Sequence, residues 1–223
     1  MFGFTITNTV PEVLLERVTV HLVASEAGCY APLVTIGVPR VREGVPGHVY
    51  VAFSRSPETG FRALTFSAEV RFASRECDPT ANYEPLGDPT KERYPVDDVP
   101  VGPSDYVAPA HIPDFRAAWE AAGADSGVPE AFTLSHKSVA DAVADVVSTL
   151  QLTPQDGTGS VKPSASKHAV YLAGTFLGDT TVLARLLMSM EDAEGGGGQA
   201  CILRIEIRCK NRDISEMLLG TLG

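Results

Sequence analysis

The residues best suited to chemistry in this chain form no recognisable catalytic motif. The sequence has no G-x-S-x-G and no H-E-x-x-H, and the run EGGGGQ at 194–199 lacks the G-K-[ST] of a phosphate-binding loop. That run predicts a flexible hairpin turn instead. No two histidines have metal-ligand spacing, so we predict no metal and no cofactor. Because Ser–His–Asp sets are recognised by geometry rather than by spacing, a hydrolase-like enzyme with a site between two lobes stays open as an alternative. The histidines are His21, His48, His111, His136 and His168.

The single tryptophan lies on a short alanine-rich segment, DFRAAWEAAG at 114–123. Phe115 and Trp119 are four residues apart, so both rings lie on one side of a helix, with Ala122 next. One interpretation places both rings in the core. The other makes Trp119 an interface anchor, because Trp and Arg dominate interface hot spots. A solvent-exposed ring beside arginines would favour docking, whereas a buried ring, with His and Ser meeting elsewhere, would favour catalysis.

Three arginines are candidates for the same binding face. Arg204 and Arg208 are four residues apart on one predicted strand and therefore point to the same side. Arg185 lies on the preceding predicted strand. If the two strands form a hairpin through the glycine run, the three guanidiniums share one sheet face, where planar forks can bind carboxylates of a peptide. An ordinary solvated face is the alternative.

Composition limits the class of protein. The chain has 223 residues, a net charge of −10 and a pI near 4.9, which argues against a nucleic-acid binder that works by bulk electrostatics. The amino terminus resembles no signal peptide. Residues 76–105 are rich in proline and acidic residues, and predict a solvated loop rather than a calcium site. All four cysteines are expected to be free thiols in a reducing compartment: Cys29, Cys77, Cys201 and Cys209.

Hydrophobic periodicity divides the chain into two parts. Segments 17–23, 32–38, 48–54 and 62–72 alternate with period two, which predicts an antiparallel β-sandwich. A short strand at 94–101 follows the acidic loop, and the boundary falls near Ser104. The second part predicts helices at 135–152 and 214–222 and strands at 168–176, 181–190 and 200–209. We therefore predict an α+β protein with domains at 1–103 and 104–223, the first lacking an upstream strand.

Several segments together resemble the C-terminal appendage of the gamma subunit of coatomer, the COPI vesicle coat, and more loosely the appendages of clathrin adaptors. They are CDP at 77–79, YPVDDVPVGPSDYVAPAHIPDFRAAW at 94–119, EAFTLS at 130–135, HAVYLAGTF at 168–176 and LLGTLG at 218–223. The resemblance implies an immunoglobulin-like β-sandwich followed by an α/β platform with an antiparallel sheet and flanking helices.

The same resemblance implies a docking role without enzymatic activity. Trp119 matches the centre of a peptide-binding site, with Phe115 bracing it and Arg185, Arg204 and Arg208 around it. The implied partners are other coatomer subunits, Arf GTPase-activating protein and accessory peptides with acidic–aromatic motifs. The implied location is cytoplasmic, on Golgi membranes and COPI-coated vesicles, indirectly through Arf. On this view Trp119→Ser should leave the fold intact and remove binding, while Phe115→Ala should cost more stability than binding.

Overall fold

A computed structural model describes residues 1–56, 63–177, 179–192 and 199–223. The chain divides into two compact units, Met1–Val101 and Gly102–Gly223. We call the first the sandwich unit and the second the platform unit. The hairpin turn expected at 194–199 lies almost wholly outside the described residues.

The sandwich unit consists of two antiparallel sheets. One has the strand order β1-β5-β3 and the other β4-β2-β6-β7, so the α+β prediction with an immunoglobulin-like sandwich is confirmed. Aromatic rings from both sheets meet in the core: the Phe66 ring lies 4.9 Å from Phe2 and 5.1 Å from Phe53. The strands are β1 Phe2–Ile6, β2 Val13–Ala24, β3 Tyr30–Ile36, β4 Val38–Val41, β5 Gly47–Arg55, β6 Leu64–Asp78 and β7 Glu84–Val101.

Gly37 separates two strands that belong to different sheets. A Cβ at this position would lie 2.6 Å from the carbonyl oxygen of Val18 on β2. Only glycine therefore lets the chain pass this close to β2 as it leaves one sheet and joins the other.

The proline-rich stretch is the main departure from the predicted fold of this unit. Residues 84–101 form one long strand, β7, which pairs with β6 down to Asp78. The predicted strand at 94–101 is therefore confirmed, and the prediction of a loop is wrong for residues 84–93. Among the described strands, β7 is an edge strand that pairs with β6 alone. An edge position tolerates proline because the missing N–H is not needed on the open side. The prolines of β7 are Pro85, Pro89, Pro95 and Pro100.

The platform unit is built on one antiparallel sheet. Its strands follow the order β10-β11-β12-β13-β9, and β8 pairs with β11. β12 and β13 pair along their length, as the predicted hairpin requires. Periodicity missed β8, β9 and β10, which lie at the sheet margins. The elements are β8 Val107–Pro109, α1 Phe115–Ala122, β9 Gly127–Leu134, α2 Val139–Leu150, β10 Thr153–Pro154, β11 Lys167–Phe176, β12 Thr180–Asp192, β13 Gln199–Cys209 and α3 Arg212–Leu219.

Helix α2 follows the predicted pattern closely. Ser138 caps it, since its hydroxyl oxygen accepts a hydrogen bond from the Asp141 backbone N–H at 3.1 Å. Val139, Val143 and Leu150 of the predicted stripe are buried, and the helix packs on β11 and β12. Its anchored position helps to fix the sheet that carries the three arginines.

Candidate functional site

The three predicted arginines lie on one face of the platform sheet. Arg204 and Arg208 flank Glu206 on β13, and Arg185 on β12 is directly opposite Glu206. Tyr171 on β11 is opposite Arg185 from the other side. Residues opposite each other in an antiparallel pair share a face, as do residues two apart in one strand. The prediction of a common face is therefore confirmed.

Helix α1 covers one end of this face. Asp114 starts it by accepting a hydrogen bond from the Ala117 N–H at 2.9 Å. Phe115 and Trp119 point to the sheet and pack with Ala173 and Leu183. The helix has no other large apolar side chain; Ala118 packs against the same cluster, and the remaining alanines are exposed.

Trp119 does not have the solvent exposure that an open docking pocket requires. Its side chain is 3 % exposed and that of Phe115 is 1 % exposed, so the expectation of an exposed ring is wrong. Two guanidiniums lie over the indole: the Cζ of Arg185 is 4.3 Å and that of Arg208 is 4.1 Å from the ring centroid. Such cation–π contacts stabilise both arginine side chains in position over the ring.

Two of the three arginines are satisfied within the platform unit. Arg208 pairs with Glu206 (Nε–Oε1 2.8 Å) and donates from Nη1 to the Trp119 carbonyl oxygen at 2.9 Å. Arg204 pairs with Glu191 (Nη1–Oε1 3.0 Å). The pKa of Glu191 is held below its ordinary value, first by the hydrogen bond from the Ser189 hydroxyl and then by Arg204. These two arginines are therefore less available to a ligand than their spacing suggested.

Arg185 is the exception. Its Nε is buried and has no hydrogen-bond partner among the described residues. Besides Trp119, its guanidinium lies 5.6 Å from the Tyr171 ring centroid and 5.9 Å from that of Phe115. An aromatic surround holds this cation in place without a carboxylate partner among the described residues.

A groove with a volume of about 650 Å³ lies on the same face. Its apolar walls include Tyr171 and Leu187, which sequence reasoning missed. The alternation of Ala169, Tyr171 and Ala173 in HAVYLAGTF was the available signal, because it places these residues on the face of Arg185. The groove is lined by Pro129, Glu130, Ala131, Ala169, Tyr171, Arg185, Leu186, Leu187, Arg204, Ile205 and Glu206.

Two histidines of the platform unit have structural partners. His136 Nε2 lies 3.3 Å from Asp145 Oδ2, and His168 Nε2 lies 2.8 Å from the Thr158 carbonyl oxygen. Neither ring is hydrogen-bonded to a serine hydroxyl in the described part of the chain. Across the ranges that the structure describes, no group of three or more His, Cys, Asp or Glu side chains could hold a metal ion. None of the described helices is long and apolar enough to cross a membrane.

Comparisons with known proteins give the same relatives along the whole chain. Residues 1–102 match the family model "Coatomer gamma subunit appendage platform subdomain", and residues 104–222 match "Coatomer subunit gamma-1 C-terminal appendage platform". Coatomer subunit gamma-1 of Oryza sativa subsp. japonica is 30 % identical over 216 residues, 95 % of this chain and 23 % of that protein. Coatomer subunit gamma-2 of Homo sapiens is 30 % identical over 226 residues, covering all of this chain and 25 % of that protein. The chain thus spans about a quarter of the length of these relatives.

Proposed function

This chain belongs to the family of coatomer gamma-subunit appendages, and we propose on that premise that it is a non-enzymatic docking module of the COPI vesicle coat. It binds accessory and regulatory proteins, such as Arf GTPase-activating protein, during transport between the Golgi and the endoplasmic reticulum. It works in the cytoplasm, on Golgi membranes and coated vesicles, to which Arf and the other coatomer subunits recruit it. Docking belongs to the second of two subdomains, 1–103 and 104–223.

The Arg185 guanidinium, whose buried Nε has no hydrogen-bond partner in the described part of the chain, is the observation that carries this proposal. A buried donor without a partner is costly unless a ligand satisfies it, since an unmet hydrogen bond to a charged group costs more than a neutral one. Arg185 stands at the wall of an apolar groove, lined also by Tyr171 and Leu187. A ligand with a carboxylate beside an aromatic side chain fits both features, because the carboxylate pairs with Arg185 and the ring enters the groove.

Trp119 has a positioning role in this proposal. With 3 % of its side chain exposed, it supports Arg185 and Arg208 from below and leaves the contact surface to the groove residues. Phe115 stacks on it with ring centroids 5.9 Å apart and an interplanar angle of 23°. The docking surface is therefore centred on Arg185 rather than on the tryptophan ring.

The test is a calorimetric titration of the whole chain with a fragment of Arf GTPase-activating protein that carries an acidic–aromatic motif. Arg185→Ala should weaken binding about 10- to 100-fold, the loss of a hydrogen-bonded charge pair. Arg212→Ala removes the same charge from α3, where Arg212 is exposed and pairs with Glu216 (2.8 Å), and should bind as the parent does. Thermal melts of both variants control for folding.

Two outcomes would count against the proposal. If the parent chain binds no such fragment, the face contacts only other coat subunits or has no ligand. If Arg185→Ala and Arg212→Ala bind equally well, docking occurs elsewhere on the chain.

A further inference from the structure

The sandwich unit carries a concentration of positive charge that is unexpected in a chain with a net charge of −10. Four basic side chains from three adjacent strands surround a shallow depression of about 200 Å³. They are Arg17 of β2, Arg71 of β6, and Lys91 and Arg93 of β7. We call this set the basic face.

The strand register brings like charges together. Arg71 and Arg93 are directly opposite each other, and Lys91 is opposite Ala73, two residues further along β6. Like charges directly opposite in a sheet destabilise it. Arg71 has one compensating partner, Glu69, whose pKa is lowered first by their hydrogen bond. Arg17, Lys91 and Arg93 form no salt bridge with any residue that the structure describes.

The backbone conformation at Arg17 brings this residue into the basic face. The β2–β6 register shifts between Glu16 and Thr19, so a bulge interrupts the ladder at Arg17. Arg17 has φ 53°, in the left-handed region that non-glycine residues seldom occupy. Bulges re-aim side chains, and backbone strain of this kind persists where surrounding structure enforces it. Here it adds a fourth cation to an already repulsive cluster.

We propose that the basic face binds the phosphorylated headgroups of an anionic membrane surface. The depression has few apolar lining residues, only Phe72 and Ala73, so it offers no anchor pocket of the kind that peptide recognition uses. Its single lining carboxylate, Glu92, accepts hydrogen bonds from the hydroxyls of Ser74 and Tyr94. Phosphate groups need charge and donors rather than an apolar pocket, which matches this lining.

Strand addition by an acidic peptide is the less favourable alternative. β7 is the edge of its sheet, but four prolines interrupt the row of N–H groups that an added strand requires. The three strands also spread the cations over roughly 10 Å, at about 4.8 Å between neighbouring strands. A surface that presents several phosphates at once can engage them together, whereas exposed single ion pairs contribute little each.

The experiment measures binding of the whole chain to phosphatidylcholine vesicles with and without a phosphatidylinositol phosphate. The parent should bind only the phosphoinositide vesicles. Lys91→Ala/Arg93→Ala should weaken that binding about 25-fold, about fivefold for each charge. The control, Lys162→Ala/Arg212→Ala, makes the same change in net charge on exposed residues of the platform unit and should leave binding unchanged.

A second variant separates binding from folding. Arg17→Gly removes the side chain but places at φ 53° the residue that best tolerates that conformation. It should keep or raise the melting temperature and weaken vesicle binding about fivefold. Unchanged vesicle binding in this variant would remove Arg17 from the site.

Three results would overturn the proposal. The parent could bind both kinds of vesicle equally or neither. The two double variants could lose binding equally, which would indicate bulk charge. Lastly, inorganic phosphate or an acidic phosphopeptide could bind through Lys91 and Arg93 while the vesicles do not, which would assign the basic face to a dissolved anion or a protein partner.

Discussion

Two sheet faces of this chain are rich in arginine, but the side chains around those arginines differ. On the platform face, Arg204 and Arg208 are paired with Glu191 and Glu206, and aromatic rings surround Arg185. On the basic face of the sandwich unit, only Arg71 has a salt-bridge partner among the described residues. Counting arginines would rate the two faces alike. Their carboxylates and rings differ, which is why we propose a single oriented anion at the apolar groove of the platform face and a surface of several phosphates at the basic face.

The largest expected effect concerns the ring beneath the platform arginines. Trp119→Ser should destabilise the platform unit by about 3–5 kcal/mol, because it empties a buried site next to Phe115 and Leu183. Denaturant unfolding followed by circular dichroism measures this. Arg116→Ala, on the exposed side of the same helix, should change stability by no more than about 0.5 kcal/mol. An intact, equally stable Trp119→Ser variant would restore the view that the ring is a free anchor.

The next largest expected effect is a difference between the two faces in how strongly ionic strength weakens ligand binding. Raising the ionic strength from about 0.1 M to about 1 M shortens the Debye length from about 10 Å to about 3 Å. Binding by the exposed basic face should fall steeply, whereas the half-buried contact at Arg185 should fall much less. Parallel titrations of phosphoinositide vesicles and the acidic–aromatic fragment measure both slopes. Equal slopes would mean that the difference in burial has no functional consequence.

A smaller effect should follow from releasing a paired arginine. Glu206→Gln removes the charge that Arg208 now neutralises, and should strengthen binding of an acidic ligand by about two- to fivefold, roughly 0.5–1 kcal/mol. Gly127→Ala offers an independent route, since a Cβ there would collide with the Glu206 carboxylate. Calorimetric titration checks both variants. Weaker binding in Glu206→Gln would show that the pair positions Arg208 for the ligand instead of competing with it.

The smallest effect is a titration shift. The lowered pKa of Glu191 means that its interactions stabilise the fold above the ordinary Glu value of 4.5 and are lost as pH falls through the lowered pKa. Ser189→Ala and Arg204→Ala should each raise the pKa of Glu191, because both side chains donate hydrogen bonds to its carboxylate. Carboxyl NMR titration of the three proteins measures both shifts. An unchanged Glu191 pKa in either variant would show that the missing side chain does not stabilise the carboxylate.

Sequence reasoning succeeded where local periodicity carries the information. Alternation located β2, β5, β6 and the strands that hold the three arginines, and the valine stripe located α2. It failed where the outcome depends on distant partners. The first part of β7, at 84–93, pairs with β6, and prolines and acidic residues hide that pairing from any local pattern. The burial of Trp119 likewise depends on Ala173 and Leu183, more than fifty residues further along the chain.

The candidate site shows the same division. Spacing placed Arg204 and Arg208 on one face, and the assumption of a hairpin between the two strands added Arg185, which the register confirms. The carboxylates that neutralise two of them come from register across a hairpin, with Arg204 reaching Glu191. No local signal separates a free arginine from a paired one, so the special position of Arg185 emerged only from the packed structure.

The single tryptophan also gives the platform face an intrinsic fluorescence signal. Trp119 is the only indole in 223 residues, and the guanidinium of Arg185 lies 4.3 Å from its ring centroid. Indole emission responds to nearby charge and to water, so a ligand that draws Arg185 away from the ring changes the fluorescence of the whole protein. Occupancy of the groove can therefore be followed in the unlabelled chain, while events at the basic face of the sandwich unit, which contains no tryptophan, leave no direct trace in the same signal.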